Sequence, residues 1–359
     1  MPTNHAILSA SSSHRWLECP PSAKLCAELP DTSSEYAQEG TDAHALCEHR
    51  LKALLGRETT DPTENLTYYN EEMERCAVEY ATYAYEQVEK AKVACNDPIV
   101  LIEQKLDFSR WVPEGFGTGD CVIVADGTLS VIDFKYGKGV EVLAENNPQM
   151  MLYALGALEL FDGIYDISAV NMIIFQPRRD NISEYAISKE ELLRWANESL
   201  TPTAQLAANG DGDFKAGKHC RFCKVRATCR KLAEYNLALA RYDFEPPATL
   251  DNIEIAAILA KADELVSWVT DVKEYALRQA LTLQQVTADV LGQNDFTHEW
   301  LCHRIQHIRV CNDNTLIFYF KDGSEITRIW KDRSRSQSWT DEMKEAARQK
   351  TLERSKHNA

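Results

Sequence analysis

Residues 117–137, GTGDCVIVADGTLSVIDFKYG, hold two apolar runs on either side of Asp126-Gly127. A two-residue Asp-Gly connection between such runs predicts a β-hairpin with a type I′ turn. With Ala125 opposite Thr128, the register carries Asp120 to a position opposite Asp133. Both faces between them are apolar: Val122, Val124, Leu129 and Val131 on one, Cys121, Ile123, Ile132 and Phe134 on the other. A hairpin apolar on both faces belongs inside a covered sheet. The two-residue period puts Asp133 and Lys135 on one face, with Asp120 as cross-strand neighbour. Two facing carboxylates withdrawn from water repel each other and resist desolvation. A divalent cation relieves both problems, and hard Mg²⁺ or Mn²⁺ accepts one or two carboxylates together with water and phosphate oxygens. The lysine can then orient or polarise a water, or hold charge on a phosphate. The other reading is an Asp–Lys ion pair at the end of a sheet, with no chemistry.

Three further features bear on that choice. Gln149 and Tyr153 are four residues apart in PQMMLYALGALELF (148–161), a helix with Asn147 as N-cap and Pro148 at its first position, so both project from one face. Glu39-Gly40-Thr41 and His44 open an earlier helix, 36–55, where His44 is either a third metal ligand or a structural histidine. Cys220, Cys223 and Cys229 stand within ten residues in HCRFCKVRATC, a spacing that chelates zinc or an iron–sulfur cluster. His219 adjoins Cys220, and neighbours rarely both reach one metal. Cys19, before Pro20-Pro21, is the stronger candidate for a fourth ligand, and would join residues about two hundred apart in the chain.

The chain of 359 residues has room for two domains, or for one large domain with appendages. Its formal net charge of −16 excludes a general basic coat for nucleic acid but leaves room for a local basic groove. No apolar run reaches membrane-spanning length, and MPTNHAILSASSSHRW lacks the pattern of a secretory leader; a cytoplasmic location is expected. An odd count of 11 cysteines argues against a disulfide framework. Cys47, Cys76 and Cys121 are expected as small buried residues. Further elements expected are a helix over 70–95, strands at 98–108 and 170–177, helices over 188–208 and 251–282, and a hairpin at 316–330 around Asp322-Gly323.

The ordered set LSASSSHRWLECPPS, EGTDAH, GTGDCVIVADG with VIDFKYG, Q-x-x-x-Y and C-x2-C-x5-C resembles the PD-(D/E)XK nucleases of the RecB type. It looks closest to the phage and prophage family DUF2800, and is similar to the iron–sulfur branch that includes the Cas4 and AddB nucleases. The resemblance implies an α/β, restriction-endonuclease-like core: a small mixed β-sheet flanked by helices, with helical insertions. It implies that His44, Asp120 and Asp133, with the backbone carbonyl of Phe134, hold the catalytic Mg²⁺ or Mn²⁺. Lys135 would be the catalytic lysine, with Gln149 and Tyr153 organising the site. Cys19, Cys220, Cys223 and Cys229 would hold a [4Fe–4S] cluster, with structural Zn²⁺ as the alternative. Asp133 replaces the more frequent Glu.

From HRIQHIRVCNDNTLIFYF onward the sequence resembles instead the tail of large serine recombinases, with no recombinase catalytic segment before it. The expected organisation is a nuclease-like domain over 1–240, a helical extension over 241–285 and an appendage over 286–359, a hairpin plus a charged tail. Two functions are expected to compete. One is a metal-dependent DNA nuclease in phage recombination, repair or processing, acting on DNA with single-stranded character or ends. The other is a catalytically silent module binding DNA or phage recombination proteins.

Overall fold

The hairpin over 117–137 forms the middle of a five-stranded sheet. The computed structural model describes residues 6–30, 35–238, 252–291, 305–311, 315–321 and 323–329, in two units, Met1–Val269 and Thr270–Ala359. In the first unit, strands β1 (Ile99–Asp107), β2 (Phe116–Ala125), β3 (Gly127–Phe134), β4 (Ile167–Gln176) and β5 (Asn181–Ser188) lie side by side in that order. All neighbours are antiparallel except β3 and β4, which run parallel. A parallel pair requires a crossover, and the helix begun by Asn147 and Pro148 supplies it.

The hairpin register is the expected one, with Ala125 opposite Thr128 and Cys121 opposite Ile132. The turn type is not. Only Gly127 takes a positive φ, +85°, and Asp126 does not, the sign pattern of a type II turn rather than type I′. The turn is tied to the chain entering β4: the Gly127 N–H donates to the Asp166 carbonyl at 2.7 Å, and the Asp126 carboxylate accepts the Asp166 N–H at 3.2 Å.

The helices are α1 (Ser13–Glu18), α2 (Ser22–Ala27), α3 (Glu35–Leu54), α4 (Glu71–Ala94), α5 (Pro148–Phe161), α6 (Lys189–Trp195), α7 (Thr201–Asn209), α8 (Arg230–Leu237) and α9 (Asn252–Leu291). Helices α3 and α4 cover one face of the five-stranded sheet, and α5, α6 and α7 the other. Val122, Val124, Leu129 and Val131 pack in one apolar cluster with Met150 to Leu155 of α5, Leu192 of α6 and Ala204 of α7. Cys121, Ile123, Ile132 and Phe134 pack in a second cluster with Leu46 of α3 and Tyr80 of α4. Helix α5 is buried from Pro148 through Leu158, as a helix enclosed on all sides must be. Glycine permits its close approach: a Cβ at Gly156 would stand 2.9 Å from Leu106 Cβ, and one at Gly117 would stand 2.7 Å from Tyr153 Cε1.

In the second unit β6 (Ile305–Val310), β7 (Thr315–Phe320) and β8 (Glu325–Ile329) form an antiparallel sheet in that order. The hairpin expected at 316–330 is β7–β8, with Leu316, Phe318 and Phe320 buried in strict alternation. Its Gly323 has φ +85°, while Asp322 and the charged tail after 329 lie outside the described residues. No helix among the described residues is long and apolar enough to cross a membrane.

Candidate metal centre

Asp120 anchors the site. It is buried in β2, and one carboxylate oxygen accepts the Phe134 N–H at 2.7 Å while the other lies 3.2 Å from His44 Nδ1. His44 reaches it from α3, its ring set edge-on to Phe134 at 5.5 Å. A third group joins them that the sequence motifs did not single out. Glu103 lies in β1 across from Asp120, between the paired steps Ile102–Cys121 and Gln104–Gly119. Its φ is +51°, a left-handed conformation that costs on the order of 1–3 kcal/mol in a non-glycine residue and concentrates at functional sites. Its carboxylate lies 3.9 Å from His44 Nδ1. One ligand atom from each of His44, Glu103 and Asp120 falls within 4.8 Å of the others.

Asp133 sits beside this trio in a network facing α5. One oxygen is 2.8 Å from Lys135 Nζ, and the other accepts from Gln149 Nε2 at 3.2 Å. Gln149 Oε1 accepts from Lys135 Nζ at 3.0 Å, and Gln149 Nε2 also donates to the Tyr153 hydroxyl at 3.0 Å. The two helical side chains therefore meet on one face as their spacing implied. Phe134 contributes its amide to Asp120, a role separate from the carbonyl contact that the family resemblance implies. Burial first, and then the charge of Lys135, hold the imidazole of His14, next to the serine run, below its ordinary value, against a hydrogen bond to Asn147.

The protonation states follow from crowding. Burial opposes charge on His44, but Asp120 and Glu103 outweigh it and push the imidazole up to about 9. Burial, and then the Asp120 charge, push Glu103 up to about 8. Burial works against ionised Asp120, yet His44 and the Phe134 N–H hold it below the usual carboxylate range. Asp133 is raised, by burial first, against the pull of Lys135.

Raised folded-state values give a definite sign. Stability contributed by His44 and Glu103 is complete below their ordinary values of 6.5 and 4.5, and is lost as pH rises through about 9 and about 8. The metal-free protein is expected to lose thermal stability between pH 6.5 and 9. A cation must displace these protons, so Mn²⁺ should raise the melting temperature more at pH 9 than at pH 6.5. Calorimetry in two buffers should register the released protons; a Mn²⁺ effect independent of pH would remove both residues from the ligand set.

The cysteines gather elsewhere. Cys19, Cys220, Cys223 and Cys229 all line one small cavity, with Arg15 and Arg226 on its wall. Cys19 is thus brought to the C-x2-C-x5-C loop, and His219 bonds to Cys19, which raises the imidazole. Cys26, passed over in the sequence, is buried with its sulfur 3.8 Å from that of Cys223. Cys47, Cys76 and Cys121 are buried in the apolar cluster between sheet, α3 and α4.

Among solved structures, SSO0001 overlaps 52% of this chain and 95% of its own, at 15% identity and a TM-score of 0.23. A "Putative exonuclease" from Eubacterium rectale overlaps 70% of this chain and 92% of its own, at 11% identity and a TM-score of 0.34. Both overlaps are too loose to assign a shared fold. The family model described as "Protein of unknown function (DUF2800)" matches residues 5–290, a span holding the sheet, the His44–Glu103–Asp120 trio and the cysteine-lined cavity. The chain belongs to the DUF2800 family.

Proposed function

We propose that this protein is a divalent-metal-dependent deoxyribonuclease of the PD-(D/E)XK type, serving phage recombination, repair or DNA processing. The observation that carries the reading is the convergence of His44, Glu103 and Asp120 within 4.8 Å, next to the Asp133–Lys135–Gln149 network. Buried facing carboxylates beside a lysine serve no need of a simple binding surface. The donor set fits a cation: two carboxylates suit Mg²⁺ or Mn²⁺, and the added imidazole favours Mn²⁺. When bound there, the cation would neutralise charge on a phosphate and acidify a water.

The chain's own groups have separate tasks. Asp120 orients His44 and is itself held by the Phe134 amide. Lys135, kept charged by Asp133 against its burial, presents an ammonium where charge grows on the phosphate. Gln149 fixes both members of that pair and locks the Tyr153 hydroxyl to the same face. Asp133 and the Phe134 carbonyl complete the donor set that the family resemblance implies.

Cys19, Cys220, Cys223 and Cys229, gathered round one cavity, would hold the [4Fe–4S] cluster that the family resemblance implies, with structural Zn²⁺ as the alternative, since thiolates suit both. The test is cleavage of single- and double-stranded DNA by anaerobically purified protein in Mn²⁺ or Mg²⁺. Wild type is expected to degrade DNA, and Asp120→Asn to bind it without cleaving. The net charge of −16 favours a rival reading, a silent binding module. Wild-type protein that binds DNA and cleaves none of these substrates in either metal would establish that rival.

A further inference from the structure

We propose that the exposed face of residues 215–231 is a track for one unpaired DNA strand leading to the candidate metal centre. Phe222 is its base-stacking platform, and Lys218, Arg221 and Arg230 are its phosphate contacts. The inference rests on the nuclease reading and names how that site receives its substrate.

Four observations carry it. Residues 215–231 hold seven Lys and Arg and no Asp or Glu, in a chain whose net charge is −16. Lys218, Arg221 and Arg230 are exposed, and no carboxylate pairs with them among the described residues. Phe222 is 78% exposed, an aromatic ring spent on solvent and flanked by the Arg221 guanidinium 5.8 Å from its centroid. The ring stands on a firm base, in the 3₁₀ turn Lys218–Phe222 between the buried Cys220 and Cys223.

Position supplies the direction. Arg221 Nη2 lies 4.0 Å from where a Cβ on Gly139 would stand. Gly139 is four residues beyond Lys135, a chain distance of at most about 14 Å. A cationic surface with an exposed aromatic is the recognition chemistry of single strands, whose bases are free to stack. A duplex hides its base faces and would leave Phe222 without a partner.

The test is fluorescence anisotropy of a labelled oligothymidylate with the full chain in divalent-free buffer, where cleavage cannot interfere. Phe222→Ala is expected to weaken binding about tenfold or more without changing its salt dependence. It should leave binding to an abasic strand of equal length unchanged. The double variant Lys218→Ala/Arg221→Ala should flatten the slope of log affinity against log salt by about 1.4, at about 0.7 per lost single-strand phosphate contact. Wild-type affinity and slope in both variants would overturn the track, as would equal losses for Phe222→Ala on the abasic and normal strands. The expected variant losses without any cleavage in Mn²⁺ would support the track and overturn the nuclease reading. Cleavage with unaltered variant binding would do the reverse.

Discussion

Lys135→Ala is expected to lower Mn²⁺-dependent DNA cleavage by on the order of 10²–10³-fold, the loss typical of removing one donor aimed at developing charge. The network around Lys135 says what else should move. Its ammonium is 2.8 Å from the buried Asp133 carboxylate and donates to Gln149 Oε1 at 3.0 Å. Without it, Asp133 keeps only the Gln149 amide at 3.2 Å, and burial already favours its protonated form. The variant should therefore shed the charge on Asp133 instead of stranding it, and lose about 1–3 kcal/mol of stability, the cost of an unmet buried polar group. Denaturant unfolding measures that loss, and single-turnover cleavage at saturating DNA measures the rate. Binding to DNA should survive. Wild-type cleavage by both Lys135→Ala and Asp133→Ala would remove this network from the chemistry.

The second large effect is expected at the cysteines. With the proposed [4Fe–4S] cluster bound, wild type should be brown and hold iron; Cys19→Ser should abolish both, and should cost several kcal/mol of folding free energy, since metal binding to such sites is folding energy. Other ties join the N-terminal segment to the C-x2-C-x5-C loop, among them Lys224 Nζ on the Cys26 and Leu29 carbonyls, at 3.3 and 3.1 Å, and the Cys26–Cys223 sulfur contact at 3.8 Å. The effect should reach the candidate metal centre, because Ala10 and Tyr153 both stand against Gly117. Iron content, melting temperature and cleavage should fall together in Cys19→Ser and in Cys223→Ser. A colourless wild-type protein carrying one zinc would replace the cluster while keeping the same four ligands. Wild-type stability in Cys19→Ser would detach Cys19 from the set.

Local signals made much of this molecule legible. The hairpin register followed from a turn dipeptide and two-sided apolar patterning, and the start of α5 from Asn147 and Pro148, whose cap accepts the Gln149 and Met150 amides. Strand β5 escaped because NISEYAIS lies at an edge and exposes alternate residues, so it carries little apolar signal. Helices α1 and α2 have six residues each and are separated by Pro20-Pro21, too short for periodicity to register. Glu103 is the instructive omission. It lies in a stretch, PIVLIEQKLDF, legible only as an apolar strand, and its partnership with His44 depends on the packing of α3 against the sheet and on a left-handed φ. Cys26 was hidden for a similar reason: its neighbour Cys223 is 197 residues away.

That separation has a consequence for how the protein is made. The cavity wall needs Cys19 near the start and Cys229 much later. At about 5–20 residues per second, the ribosome supplies the second tens of seconds after the first. Strands β1 to β5 and helices α3 to α5 are complete before that moment, so the sheet can form while the N-terminal segment still waits. Closing so long a loop carries an entropy cost that grows only slowly with length, and delivery of the metal would be the event that seals it. On the proposed cluster and nuclease readings, supply of iron and sulfide, rather than translation, would then set when a newly made chain becomes able to cut.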